Sequence, residues 1–174
     1  MTRFAATSIL VLIFFATPAL SAELPSRKAG LWEVQTSFEN GKIPAQVVRQ
    51  CVDTATDQMM QSRAANYQQE CSKRDVQKSA VSTTIDSTCT VRGKTLTSHA
   101  VITGSFDSAY TMTVTSQSEG PPAVSRTLTM AAKWIGPCAA DQKPGDMIMA
   151  NGRKINTLDA QKRGPPPGVP QPPQ

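Results

Sequence analysis

Histidine occurs once in these 174 residues, at His99, so histidine-dependent catalysis has a single place to reside. It stands in Thr95-Leu96-Thr97-Ser98-His99-Ala100-Val101, on the strand face of Thr97 and Val101. The chain has no G-x-S-x-G elbow, no H-E-x-x-H pair and no glycine-rich phosphate loop, so His99 reads as a structural or surface residue. Aromatic residues make up 5% of the chain, too few for a platform that stacks bases or sugars. Basic side chains never run beyond two in succession, which argues against nucleic-acid binding. Glu33, Asp53, Asp86 and Asp107 could meet in space as the carboxylate pair of a hydrolase, but nothing in their spacing singles them out. No catalytic residue, metal site or cofactor is assigned.

What the chain has in full is an export signature. Residues 1–22 carry a basic Arg3, an apolar core from Ile9 to Ala16 and a small-residue exit, Ala19-Leu20-Ser21-Ala22. Cleavage is expected after Ser21 or Ala22. The apolar run is too short for a comfortable span, and no stop-transfer charges follow it, so no stable membrane insertion is expected after cleavage. Of 18 basic side chains, removal of Arg3 leaves 17 against 13 acidic ones, a mildly basic net charge of +4. The mature part, residues 23–158, has the size of one domain, and the proline-rich stretch 159–174 is expected to be a disordered tail.

In an exported chain the four cysteines read as disulfides. Two extended arms meet between Cys71 and Cys89, and folding them about Ser79 and Ala80 brings the two cysteines opposite one another. Cys51 and Cys138 then pair by elimination, although spacing alone leaves three connectivities open. The short loop is worth about 3 kcal/mol and the long one about 4 to 5 kcal/mol, against a total stability of about 5 to 15 kcal/mol.

Elsewhere the period of two dominates. Trp32, Val34, Thr36 and Phe38 alternate with Glu33, Gln35 and Ser37, and Asn40-Gly41 turns the chain back through Ile43 to Val48, with Pro44 marking an edge or a bulge. Thr54-Ala55-Thr56-Asp57 resembles a capping box ahead of one short helix, about Ala55 to Asn66, with Met60, Ala64 and Tyr67 at helical spacing. Strands then follow at Lys94 to Thr103, Ser108 to Ser118 and Val124 to Ile135, between turns at Arg92-Gly93, Gly104 to Asp107 and Glu119 to Pro122. Asn151-Gly152 predicts a small terminal hairpin. The fold expected is all-β, an antiparallel meander rolled into a half-open barrel or a sandwich, with one short helix.

The ordered set Pro25-x-Arg27-x-Ala29-Gly30-Leu31-Trp32-Glu33-Val34, Cys51-Val52-Asp53, Gly104-x-Phe106, Trp134-x-Gly136-x-Cys138 and Lys143-Pro144-Gly145-Asp146-Met147 resembles a secreted bacterial family of unknown function, DUF3617, from about Pro25 to Met147. The resemblance implies export and a shared cysteine pattern, and it supplies no catalytic residue.

Two binding functions rank above catalysis. A meander with one apolar face and one short helix leaves strand surface that the helix does not cover. Trp32, Tyr110, Met112, Met130 and Trp134 are the candidate lining for an apolar small molecule or a segment of an envelope protein. The alternative is a soft-metal role: Met59, Met60, Met112, Met130, Met147 and Met149 with His99 are the ligand types that suit copper(I), although no three are grouped by sequence.

Overall fold

In a computed structural model of the chain, which describes residues 24–39, 43–66, 69–91 and 93–163, the period-two stretches become nine strands. They are β1 (Gly30–Phe38), β2 (Gln46–Val52), β3 (Gln69–Lys78), β4 (Ser82–Val91), β5 (Lys94–Ser105), β6 (Ala109–Ser118), β7 (Val124–Gly136), β8 (Asp146–Ile148) and β9 (Lys154–Asn156). Two helices accompany them, α1 (Thr54–Asn66) and α2 (Thr157–Arg163). The segment 1–22, the Asn40-Gly41 turn, Arg92 and the tail beyond 163 lie outside the described residues.

All nine strands join one antiparallel sheet in the order β3-β4-β5-β6-β7-β1-β2-β8-β9. The expected all-β class and the meander are both present, and the sheet is open: it is not closed into a barrel. β3 to β7 pair in sequence as hairpins, and two long-range seams join β7 to β1 and β2 to β8. This order sets β2 six strand spacings from β3, about 29 Å on a flat sheet. The 13 residues of α1, about 20 Å long, make that crossing. The helix therefore runs as a chord over the face that carries Trp32, and Met60 packs there on the buried cluster of Trp32, Val34, Val52 and Ala132.

Several local expectations shift. The β3–β4 hairpin turns about Ala80 and Val81, one residue later than expected, with Ser79 N–H donating to Ser82 O across it. Val81 is therefore 80% exposed at the tip. A bulge between Cys71 and Lys73 absorbs the one-residue slip and restores Cys71 opposite Cys89. Both expected disulfides, Cys71–Cys89 and Cys51–Cys138, are formed. β2 is an interior strand with β1 and β8 on its flanks, and Pro44 precedes it, where no ladder donor is needed.

The capping box of α1 is formed by Asp53 and Thr56, one residue earlier than expected. Thr56 N–H donates to Asp53 Oδ1 at 2.8 Å, and Asp53 N–H donates to Thr56 Oγ1 at 2.9 Å. α2 was not expected, and it takes residues 159–163 out of the stretch assigned to the tail. Its cap was nevertheless visible as Asn156-Thr157-Leu158-Asp159: Asn156 Oδ1 accepts from the N–H groups of Leu158 and Asp159.

Candidate functional site

Strand alternation and the hairpin registers together decide what each face of the sheet presents. Val76, Ile85, Ala100, Val114, Leu128 and Phe38 are successive cross-strand partners, an unbroken apolar rung over six strands. The next rung toward α1 aligns Ile102, Met112 and Met130, and the one after it Tyr110, Ala132, Val34 and Val48. Ala100 and Ile102 are buried, whereas Val76, Ile85, Met112, Val114, Leu128 and Phe38 are only half-buried and Val124, farther out, is exposed. The apolar face is thus fully covered at its Trp32 end and only half covered across the rung of Ile85 and Leu128.

The covered end is closed by a cluster drawn from five separate parts of the chain. Asp57 is fully buried and accepts from Arg27 N–H at 2.7 Å, Arg27 Nε–H at 2.7 Å and Gln61 Nε2–H at 2.8 Å. The Arg27 guanidinium lies 5.6 Å from the Trp32 ring. Tyr110 stacks on Phe106 at 4.6 Å and sits 5.9 Å from Trp32. Burial pushes the Tyr110 hydroxyl above its ordinary pKa, and the Asp57 charge adds to this while Arg27 opposes it. Lys28 Nζ lies 3.8 Å over the Trp134 ring.

Gly30, at φ +133°, is required here: a Cβ would stand 2.5 Å from both Gly136 O and Trp134 Nε1. Gly145 N–H donates to Cys51 O, so the turn Lys143–Asp146 docks on the same end, and the Cys51–Cys138 bond fastens it. Asp146 is held below the ordinary carboxylate range. Its burial acts the other way but is outweighed by hydrogen bonds from Asn156 and the Lys143 N–H and by the charges of Lys154 and Lys143. The segments that carry the family resemblance thus converge on one end of the sheet, where the interactions they make brace the fold.

The polar face is different. His99 Nδ1 and Asp86 Oδ1 are 2.7 Å apart across β4–β5, both about half exposed. They line an open cleft of about 400 Å³ with Lys73, Thr88, Thr97, Thr115 and Gln117. A second, of about 420 Å³, lies over Gln35, Thr103, Thr111 and Lys133. Ser87 and Ser98, which edge the first cleft, alternate with Asp86 and His99, so neither hydroxyl lies on the face of that pair to complete a nucleophilic triad.

The four candidate carboxylates are dispersed. Glu33 accepts from Arg49 on β2, Asp53 caps α1, Asp86 bonds His99, and Asp107 sits in the β5–β6 turn. Asp86 and Glu33 stand four strands apart, about 19 Å, well beyond a glycosidase pair. Asp53 is held below its ordinary pKa, first by the Thr56 N–H.

The five candidate lining residues, Trp32, Tyr110, Met112, Met130 and Trp134, all belong to the apolar face, with Met112 directly opposite Met130 and Trp32 opposite Trp134. Trp32 is fully buried, a core residue under α1. The copper ligand types do not gather: His99 projects from the polar face, Met112 and Met130 from the apolar one, and Met147 and Met149 lie in and just after β8. Among the described residues, no group of three His, Cys, Asp or Glu side chains could hold a metal ion.

Sequence reasoning missed the rungs themselves. Each hairpin register was implied by its turn, and combining the three turns from β4 to β7 would have aligned Ile85, Ala100, Val114 and Leu128.

No curated protein and no solved structure matches the chain. A family profile does match, over residues 27–138, which stops short of the Lys143–Met147 turn. The chain belongs to DUF3617, a family of proteins of unknown function.

Proposed function

We propose that this is an exported, non-catalytic binding module whose uncovered apolar sheet face receives an apolar ligand or an apolar segment of an envelope partner. The observation that carries the reading is the six-strand apolar rung, with most of its side chains only half buried. Monomeric soluble proteins seldom leave contiguous apolar surface of this extent without a use for it. Two disulfides fit an oxidising compartment, and among the described residues no helix is long and apolar enough to cross a membrane.

The test uses chain recovered from the periplasmic fraction, whose mass should lack residues 1–21 or 1–22. Titrated with the neutral dye Nile red, it should show saturable uptake with a blue-shifted emission. The pair Val114→Gln and Leu128→Gln should reduce that uptake by at least about ten-fold, since two buried side-chain contacts are worth a few kcal/mol. Uptake that never saturates, or that the double variant leaves unchanged, would remove the reading.

A further inference from the structure

The apolar face is crossed, between the rung of Ile85 and Leu128 and that of Cys89, Leu96 and Val124, by a rung of another kind. Arg74, Ser87, Ser98, Ser116 and Arg126 are successive cross-strand partners from β3 to β7, directly beyond the rung of Ile85 and Leu128. Ser98 Oγ and Ser116 Oγ are 3.0 Å apart and share one hydrogen bond, which leaves the proton of one hydroxyl to donate elsewhere. Arg126 stands opposite Ser116, exposed, and makes no ion pair with any described residue.

Charge is divided between the two faces. On strands β1 to β7 the apolar face carries Arg74, Lys78, Lys94 and Arg126 and no carboxylate among the described residues, while Glu33, Asp75 and Asp86 all lie on the other face. An uncovered apolar surface whose only charges are cations is complementary to an occupant that is apolar along its length and anionic at one end.

We infer that the occupant is a single-chain amphiphile with an anionic head group, of the fatty-carboxylate class; this rests on the binding reading given above. Arg126 and the free hydroxyl of the Ser98–Ser116 pair receive the head, because a guanidinium beside a hydroxyl donor forms charge-assisted hydrogen bonds to a carboxylate. The alkyl chain lies along the β6–β7 pair, over Val114 and Leu128, then Met112 and Met130, and stops at Tyr110 beneath α1. From Ser116 to Tyr110 the strand advances about 20 Å, and an extended chain with carbon–carbon bonds of about 1.5 Å covers that in roughly sixteen carbons. The facing methionines suit a chain of variable shape, being flexible and polarizable.

The experiment is a calorimetric titration of the purified, disulfide-bonded chain with hexadecanoate, hexadecanol and octanoate, each below its aggregation threshold. Hexadecanoate should bind with one-to-one stoichiometry, and hexadecanol about ten-fold or more weakly, the worth of a charge-assisted hydrogen bond. Octanoate should bind more weakly still. Arg126→Gln, at an exposed position whose fold is checked by an unchanged melting temperature, should erase the difference between the acid and the alcohol. Arg74→Gln, about 19 Å away along the rung, should preserve it. Equal affinity for acid and alcohol, or a preference that survives Arg126→Gln, would overturn the anionic-head inference while leaving the apolar-face reading in place. If neither sixteen-carbon compound binds, the inference falls, and so does the small-ligand form of the reading it rests on.

Discussion

Asp57 has no access to solvent, and its two oxygens take three hydrogen bonds from Arg27 and Gln61. Removing that carboxylate strands a guanidinium that is itself only 7% exposed. Asp57→Ala should therefore cost about 3 to 5 kcal/mol, seen as a fall in Tm of roughly 10 °C or more. Asp53→Ala removes only a helix cap and should cost about 1 kcal/mol. The sequence invited the opposite ranking, because Asp57 stands where a capping box would use it. Its partner lies 30 residues away, and no local pattern marks a pairing of that range. Arg27 and Trp32 were legible as parts of a recurring segment. That they converge with Tyr110 and Asp57 was not.

Among the elements, β3 depends most on its staple. It is an edge of the sheet, its described side chains are almost all exposed, and β4 is the one strand it pairs with, through the ladder and the Cys71–Cys89 bond. Lys73, Arg74 and Lys78 protect its open flank against pairing with other chains. In a Cys71→Ser, Cys89→Ser variant, amide exchange should accelerate in β3 first and far more than in β5 or β6, with a global loss of about 3 kcal/mol. Uniform acceleration across the sheet would mean that the staple acts on the unfolded chain alone. This hairpin was the most legible element, since turn residues, alternation and cysteine spacing all point to one register. The one-residue error at its tip arose because a bulge carries no distinctive residue.

For the molecule as a whole, acid is the side on which charge matters. The folded state holds Asp53 and Asp146 below their ordinary pKa, so as pH falls past about 4 the unfolded chain takes up protons first. Their contribution is complete above that value and is lost as pH drops through the folded pKa values. Tyr110 works in the other direction: raised in the folded state, it contributes fully below about pH 10 and that part is lost above it. Melting temperature should accordingly be level between these limits and fall on both sides. Asp146→Asn should flatten the acid limb, and an acid limb unchanged by it would contradict the assignment. The fold class was legible because alternation and turns are local. The position of β1 beside β7 was not, and with it went the identity of the face that α1 crosses.

The β1–β7 seam has a consequence in time. Ala29 and Trp134, joined across the end of that seam by a hydrogen bond from Trp134 Nε1–H to Ala29 O, are 105 residues apart, and the Cys51–Cys138 bond at the same end spans 87, against 18 for Cys71–Cys89. By the three-halves power of loop length, random encounter disfavours the longer closure by roughly ten-fold relative to the shorter. A chain oxidised while still unfolded would therefore make the shorter links first. The hairpins from β3 to β7 need only local closures and can form before β1 and β2 arrive, so assembly is ordered, with the N-terminal strands docking last. The Cys51–Cys138 linkage then works as a record: its presence in a freshly made chain marks that the sheet has already assembled.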